Sequence, residues 1–225
     1  MLQKTTSRES IIKELKPHGA QLIAVSKTKP VEDIMDLYEQ GQRAFGENRV
    51  QEMVDKHGEL PEDIEWHLIG HLQRNKVKYI VPFVNMIQSV DSPRLLKEIN
   101  KRARSEERVI DCLLQFKIAE EESKYGFDLP MAKELLASEP FGKMEHVHIR
   151  GVMGMATFTD EEQQVRREFQ QLKQIFDALK AEFFAGQDSF REISMGMSGD
   201  YHIALEEGST MVRIGTLLFG PREGH

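Results

Sequence analysis

The chain reads as an α/β protein built as one (β/α)8 TIM barrel. Three observations carry that expectation. Short apolar runs alternate with amphipathic stretches, the runs number eight, and no Pro/Ser/Gly-rich linker or low-complexity tract interrupts the 225 residues. Strands that alternate with helices form βαβ units and a parallel sheet. Right-handed crossovers then leave a closed barrel or an open doubly wound sheet. Eight strands in about 200 residues fit a compact barrel near the lower size limit of that fold. The doubly wound sheet is the alternative.

The strand candidates are 22–26, 43–47, 65–70, 85–90, 109–118, 147–155, 191–197 and 210–220. Most are rich in Val, Ile and Phe, or are bounded by Gly and polar turns. An N-terminal helix over about 7–16 precedes the first. A helix over 31–40 places Val31, Ile34, Leu37 and Tyr38 on one side, with Pro30 at its start and Gly41 at its end. Ser92 and Pro93 open a helix over 93–104, with Leu95, Leu96, Ile99 and Ala103 inward. The clearest helix is 161–184, where Val165, Phe169, Leu172, Phe176, Leu179 and Phe183 keep one apolar face. Thr159 and Glu162 stand before it at capping-box spacing. Weaker periodicity marks helices at about 48–57, 73–81, 128–138 and 200–207. No helix of any length follows the eighth strand, and the N-terminal helix is available to cover that gap.

Composition narrows the function classes. Hydrophobic residues are 40% and charged residues 30%, an ordinary globular balance that excludes wholesale disorder. Thirty basic against 37 acidic residues give a net charge of −7, so the basic face that nucleic acid requires is not expected. The one cysteine, Cys112, cannot form an internal disulfide, and a reducing compartment follows. Neither a signal peptide nor a membrane span is visible. The expectation is a cytoplasmic monomer, one domain over 1–225, with no membrane partner and no nucleic acid.

In either fold the site lies at the C-terminal ends of the strands. Lys27 follows the apolar run 22–25, so it emerges at the edge of a packed sheet. Partial desolvation favours a neutral amine, which can attack a carbonyl and form a Schiff base. A solvated or ion-paired strand-end lysine is the plainer and commoner alternative. Ser198-Gly199 and Gly215-Thr216 end the seventh and eighth strands. Glycine admits close backbone approach, hydroxyls and N–H groups bind anions, and barrels frequently hold phosphate in these two loops. Two ordinary turns would look the same. Arg213 stands among Met211, Val212 and Ile214, where a guanidinium needs a partner. That partner is an inward carboxylate or a ligand.

Other features carry less. His67 and His71 are four apart but straddle a strand end, and His146 and His148 lack a third ligand, so no metal is expected. The Met-Gly-Met triplets at 153–155 and 195–197 either fill core gaps or wall a flat ligand. Cys112 reads as inert core and 119–124 as a solvated loop. No nucleophile elbow, metalloprotease motif or dinucleotide fingerprint is present.

Six segments together form a recognisable pattern: 24-AVSKTKP-30, 45-FGENRVQE-52, 66-WHLIGHLQRNK-76, 123-SKYGF-127, 195-MGMSGDY-201 and 209-STMVRIGTLLFG-220. In order and over nearly the whole chain, they resemble the pyridoxal phosphate homeostasis proteins. That family is similar to the barrel domain of alanine racemase, the fold-type III group that binds pyridoxal 5'-phosphate (PLP). The resemblance implies that Lys27 is the Schiff-base lysine and that Ser198, Gly215 and Thr216 hold the phosphate. It places Arg213 against the pyridine nitrogen and Asn48 close to the cofactor. At Gly199 many members carry an acidic residue instead, which leaves this loop a weaker anchor.

The function that follows is a PLP-binding protein that holds the cofactor as an internal aldimine and acts in PLP homeostasis without efficient catalysis. An arginine at the ring nitrogen disfavours the pyridinium and weakens carbanion stabilisation. The alternative is a small PLP-dependent amino-acid racemase or lyase, which needs a second base, with His71 and Tyr201 as candidates. A third reading is a PLP-free barrel for another phosphorylated metabolite.

Overall fold

The computed structural model describes residues 6–120 and 125–220. In chain order its elements are α1 (Arg8–Leu15), β1 (Gln21–Val25), α2 (Val31–Glu39), β2 (Ala44–Glu47), α3 (Val50–Glu59), β3 (Glu65–Leu68), α4 (Val77–Ile80), β4 (Met86–Val90), α5 (Pro93–Ser105), β5 (Ile110–Gln115), α6 (Leu129–Ala137), α7 (Glu139–Gly142), β6 (Val147–Met153), α8 (Glu162–Phe183), β7 (Glu192–Met197), α9 (Tyr201–Glu206), β8 (Met211–Ile214) and α10 (Thr216–Phe219).

The eight strands form a closed barrel in sequence order, all parallel. β8 closes onto β1 with Ile23 opposite Arg213 and Ala24 opposite Ile214. The doubly wound alternative is therefore set aside. Parallel strands covered on both faces are apolar nearly throughout, and β2, β4 and β8 are buried at every position. Ile23, Ala44, Met86, Leu113, Met153 and Met211 fill the barrel interior as their own cluster. The larger core lies between the strands and the helical ring, around Phe45, Trp66, Leu68 and Phe169.

The gap after β8 is closed from the other end of the chain. α10 has only four residues. α1, capped by Ser7, buries Ile11 and Leu15 against Leu22, Tyr201, Leu205, Val212 and Ile214. The chain before α1 also reaches α10, where Thr6 N–H donates to the Leu217 carbonyl at 2.7 Å.

Three local expectations change. The run 210–220 is strand only to Ile214, because Gly215 turns the chain and Leu218 N–H returns to its carbonyl at 3.0 Å. A short apolar run does not distinguish strand from helix. The stretch 73–81 divides into a 3-10 turn, Arg74–Lys76, and α4. The capping box at α8 does not form: Glu161 is the N-cap residue, and Thr159 Oγ1 instead accepts from Glu161 N–H at 3.2 Å. Residues 121–124 of the charged loop, and the start of the 123–127 motif, lie outside the described residues.

Candidate functional site

Lys27, Asn48, Ser198, Arg213, Gly215 and Thr216 all line one cleft of about 420 Å³ at the C-terminal mouth of the barrel. They come from the ends of β1, β2, β7 and β8, so only barrel closure brings them together.

Lys27 is half-buried and occupies a tight turn closed by Lys29 N–H to the Ser26 carbonyl at 3.0 Å. Its neighbour Thr28 has φ +63°. A β-branched residue in the left-handed region is strained by about 1–3 kcal/mol and persists only when its surroundings hold it. Those surroundings are polar and close. Ser26 Oγ donates to Glu47 Oε1 at 2.7 Å, Lys56 Nζ donates to the Ser26 carbonyl at 2.8 Å, and Thr28 N–H donates to Glu52 Oε1. Asn48 follows β2 directly. Gly70 passes over it so closely that a Cβ there would lie 2.3 Å from the Asn48 carbonyl oxygen.

The opposite wall holds the hydroxyl and glycine turns. Gly215 N–H donates to Ser198 Oγ at 3.3 Å, which joins the two loops. Asp200 supplies the anchor that Gly199 lacks: its N–H donates to the Met197 carbonyl at 3.1 Å, and its Oδ1 accepts from Met197 N–H. Burial pushes the Asp200 carboxyl up, against the lowering effects of the Met197 N–H and the Arg213 charge. Gly196 sits at φ +94°, and a Cβ there would stand 2.6 Å from Ala204 Cβ. The glycine of the Met-Gly-Met triplet thus lets α9 pack against β7. In both triplets the first methionine is buried, Met153 and Met195, while the third, Met155 and Met197, lines the cleft.

Arg213 is buried and hydrogen-bonded to neutral groups. Its Nη1 donates to Ser194 Oγ at 2.6 Å and its Nη2 to the Gly154 carbonyl at 2.9 Å. Ser194 Oγ donates on to Gln88 Oε1 at 2.6 Å, and Gln88 Nε2 donates to His67 Nδ1 at 3.0 Å. A single polar chain therefore crosses the barrel from the cleft to β3. Burial lowers Arg213 to about 10, partly offset by Asp200, so the guanidinium stays charged at neutral pH. Burial lowers His67 to about 4, so its imidazole is neutral there. The inward carboxylate partner considered for Arg213 is replaced by this chain of dipoles, with Asp200 acting only through its field.

Two candidates lie elsewhere. His71 hydrogen-bonds Asp91 at 3.0 Å and stacks on Tyr125, in a separate cleft between the loops after β3, β4 and β5. The Tyr201 hydroxyl donates to Glu14 Oε2 at 2.6 Å, and its ring packs under α1. His146 and His148 bond to the Arg108 carbonyl and to Asp111. Among the described residues no group of three acidic, histidine or cysteine side chains is placed to hold a metal. No helix among them is long and apolar enough to cross a membrane.

Other contributors were not evident from the sequence. The loop after β6 brings Thr157, Phe158, Thr159 and Asp160 to the cleft. Glu168 on α8 holds that loop, accepting from Thr157 N–H at 2.7 Å and from Thr157 Oγ1 at 2.7 Å. The signal available was the polar gap between a strand and the longest helix, but only tertiary contact assigns it to this mouth.

Comparison with known proteins places this arrangement. The family described as alanine racemase, N-terminal domain, matches residues 2–223. The pyridoxal phosphate homeostasis protein of Aquifex aeolicus is 41% identical over 205 residues, covering 91% of this chain and 88% of that protein. The human protein of the same name is 38% identical, covering 90% of this chain and 77% of its own length. The structure of PipY from Synechococcus elongatus with PLP bound superposes with a TM-score of 0.84 at 36% identity, covering 95% of this chain and 98% of that one. An alanine racemase of Clostridium difficile shares the fold, with a TM-score of 0.71 at 16% identity over 96% of this chain and 56% of its own. This chain belongs to the alanine racemase N-terminal domain family and, within it, to the pyridoxal phosphate homeostasis proteins.

Proposed function

We propose that this chain binds PLP, holds it covalently on Lys27, and serves in PLP homeostasis without efficient turnover. The observation that carries the reading is the convergence of Lys27, Asn48, Ser198, Arg213, Gly215 and Thr216 on one cleft, in a family whose members are named for this cofactor.

The donor set fits the group. Ser198 and Thr216 offer hydroxyls, and the glycine turns offer backbone N–H groups, to a phosphate dianion. Gly215 is tightly packed on its inner side, where a Cβ would meet the Val25 carbonyl oxygen at 3.2 Å. PLP supplies an aldehyde, which condenses with a neutral amine to give a C=N bond and one water. Among the described residues Lys27 is the primary amine lining the cleft.

Arg213 would lie against the pyridine nitrogen, where its charge disfavours ring protonation. Its hydrogen bonds to Ser194 and Gly154 fix the guanidinium before any ligand arrives. Among the described residues the cleft lining contains no histidine, tyrosine or cysteine; its carboxylates are Asp160 and Asp200, and Asp200 Oδ1 is bonded to Met197 N–H. His71 and Tyr201 are committed elsewhere. These facts favour a holder over a racemase or lyase.

We also read the chain as a cytoplasmic monomer that binds no nucleic acid. The net charge of −7 supports the last point. Of the exposed large apolar residues, Met155 and Phe158 share the loop after β6 at the cleft, while Tyr79, Val109 and Tyr125 stand on other elements and loops, which supports the monomer. Size-exclusion chromatography with light scattering checks it.

The test of the main reading is the visible spectrum of purified protein after PLP is added. The expected result is a new absorption band in the wild-type chain and none in Lys27→Ala. An unchanged wild-type spectrum would transfer the cleft to another phosphorylated metabolite. PLP-dependent loss of optical activity in a panel of single amino acids would instead establish a racemase.

A further inference from the structure

We propose that Lys56, Glu52 and Glu47 are positioning residues for Lys27: an ion cluster beneath the cleft that clamps both peptide groups flanking the lysine. The proposal rests on the reading of Lys27 as the covalent site.

The geometry is specific. The Ser26–Lys27 peptide is held through its carbonyl, which accepts from Lys56 Nζ at 2.8 Å and from Lys29 N–H at 3.0 Å. The Lys27–Thr28 peptide is held through its N–H, which donates to Glu52 Oε1. Lys56 Nζ joins the two sides, donating to Glu52 Oε1 at 2.7 Å and to Glu47 Oε1 at 2.7 Å. Its ammonium thereby uses its full set of donors on three acceptors. Glu47 Oε1 accepts the Ser26 hydroxyl as well. Lys27 itself projects from a turn whose backbone has little freedom left.

This cluster is a poor device for stability alone. Lys56 is 6% exposed and Glu47 fully buried, and Glu47 Oε2 has no hydrogen-bond partner. Buried ion pairs with an unsatisfied oxygen are commonly matched or bettered by apolar packing. Its contacts concentrate instead on the strained turn, where Thr28 stands at φ +63°. A strained conformation of this kind relaxes when its holding contacts are removed. Relaxation here would swing the Lys27 amine away from its place in the cleft. The Ser198, Gly215 and Thr216 wall follows β7 and β8 and is joined by its own hydrogen bond, Gly215 N–H to Ser198 Oγ; among the described residues the cluster's hydrogen bonds do not reach it.

The reaction that reads out position is the capture itself. The neutral Lys27 amine adds to the aldehyde carbon, and the aldehyde oxygen leaves as water with the two amine protons. Small displacements of a reacting group cost about ten- to a hundredfold in rate. Binding of pyridoxine 5'-phosphate, which has the phosphate and ring but no aldehyde, does not depend on this step.

The experiment compares wild type, Lys56→Met, Glu52→Ala and Glu52→Gln. Rapid mixing with PLP gives the rate of covalent capture, and calorimetry gives the affinity for pyridoxine 5'-phosphate. Glu52 lies at the rim of the cluster, so its variants keep the test valid if Lys56→Met does not fold. The expected result is capture slowed about tenfold or more in Lys56→Met and Glu52→Ala. Affinity for pyridoxine 5'-phosphate should stay within about twofold, and Glu52→Gln, which keeps an acceptor for Thr28 N–H, should recover most of the rate. Capture at the wild-type rate in Glu52→Ala overturns the clamp. So does a parallel loss of rate and affinity, which is what a merely structural role produces. A wild-type chain that captures nothing removes the Lys27 reading as well, which separates the two failures.

Discussion

Arg213 and Ser194 are joined at 2.6 Å inside the barrel, guanidinium to hydroxyl, with no carboxylate between them. The cation that lines the cleft is thus held by a neutral group. An arginine with a directly bound carboxylate would have its field cancelled at short range. Held by a hydroxyl and a carbonyl, Arg213 has no directly bonded carboxylate, and Asp200 offsets its charge only through its field.

Removing that hydroxyl has two consequences. Ser194→Ala leaves Arg213 Nη1 and Gln88 Oε1 without their shared partner in a fully buried place. Stability should fall by about 1–3 kcal/mol, read by urea denaturation. PLP affinity should also weaken, while the capture rate at saturating PLP changes little, because the Lys27 turn is untouched. A variant as stable as wild type would show that water replaces the hydroxyl.

The far end of the same chain predicts an acid sensitivity. His67 is lowered to about 4 by burial, below the usual value near 6.5 for an unfolded histidine. The unfolded state therefore binds the proton more readily. The stability from neutral His67 is complete above about pH 6.5 and is lost as pH falls toward 4. Between pH 7 and pH 5 the loss assigned to this group is about 2 kcal/mol. Urea denaturation of wild type and His67→Gln at both pH values isolates it. The variant should lose that much less on acidification, and equal losses would count against a buried neutral imidazole.

Tyr201 separates structure from chemistry. Its hydroxyl bonds Glu14 at 2.6 Å and so tethers α9 to α1, across the place where α10 is too short to cover the barrel. Tyr201→Phe should lower stability by about 1 kcal/mol. PLP binding and capture rate should be unchanged. Loss of capture in that variant would return Tyr201 to the list of reacting groups.

Much of this was legible in the sequence, for a physical reason. Parallel strands covered on both faces need continuous apolar runs, so runs such as 22–26 and 85–90 lie within a residue or two of β1 and β4. The stripe from Val165 to Leu179 faces the core in α8 as its spacing requires. Local chemistry failed where two outcomes share one pattern. The apolar 216–219 is a helical turn whose Leu217 and Leu218 pack against the cluster of α1, α9, β1 and β8 residues. The six cleft-lining residues stand at or just beyond strand ends, which barrel topology brings together, although the resemblance alone singled out Asn48. The partners behind them were not legible. Ser194 and Gln88 are 106 residues apart, and Arg213 and Gly154 are 59 apart, and no periodicity encodes such pairs. Glu47 and Lys56 likewise read as ordinary residues of a strand end and a helix until α3 docks beside β1 and β2.

Borohydride reduction of the PLP-loaded protein, followed by peptide mapping, tests covalent capture on Lys27 directly. Reduction converts a C=N bond into a stable secondary amine, so the anchoring lysine keeps the pyridoxyl mass. One reduced adduct is expected, on the peptide that carries Lys27, and it should be lost in Lys27→Ala. A stoichiometric adduct on any other lysine, or a wild-type protein that takes up no label, would contradict capture on Lys27.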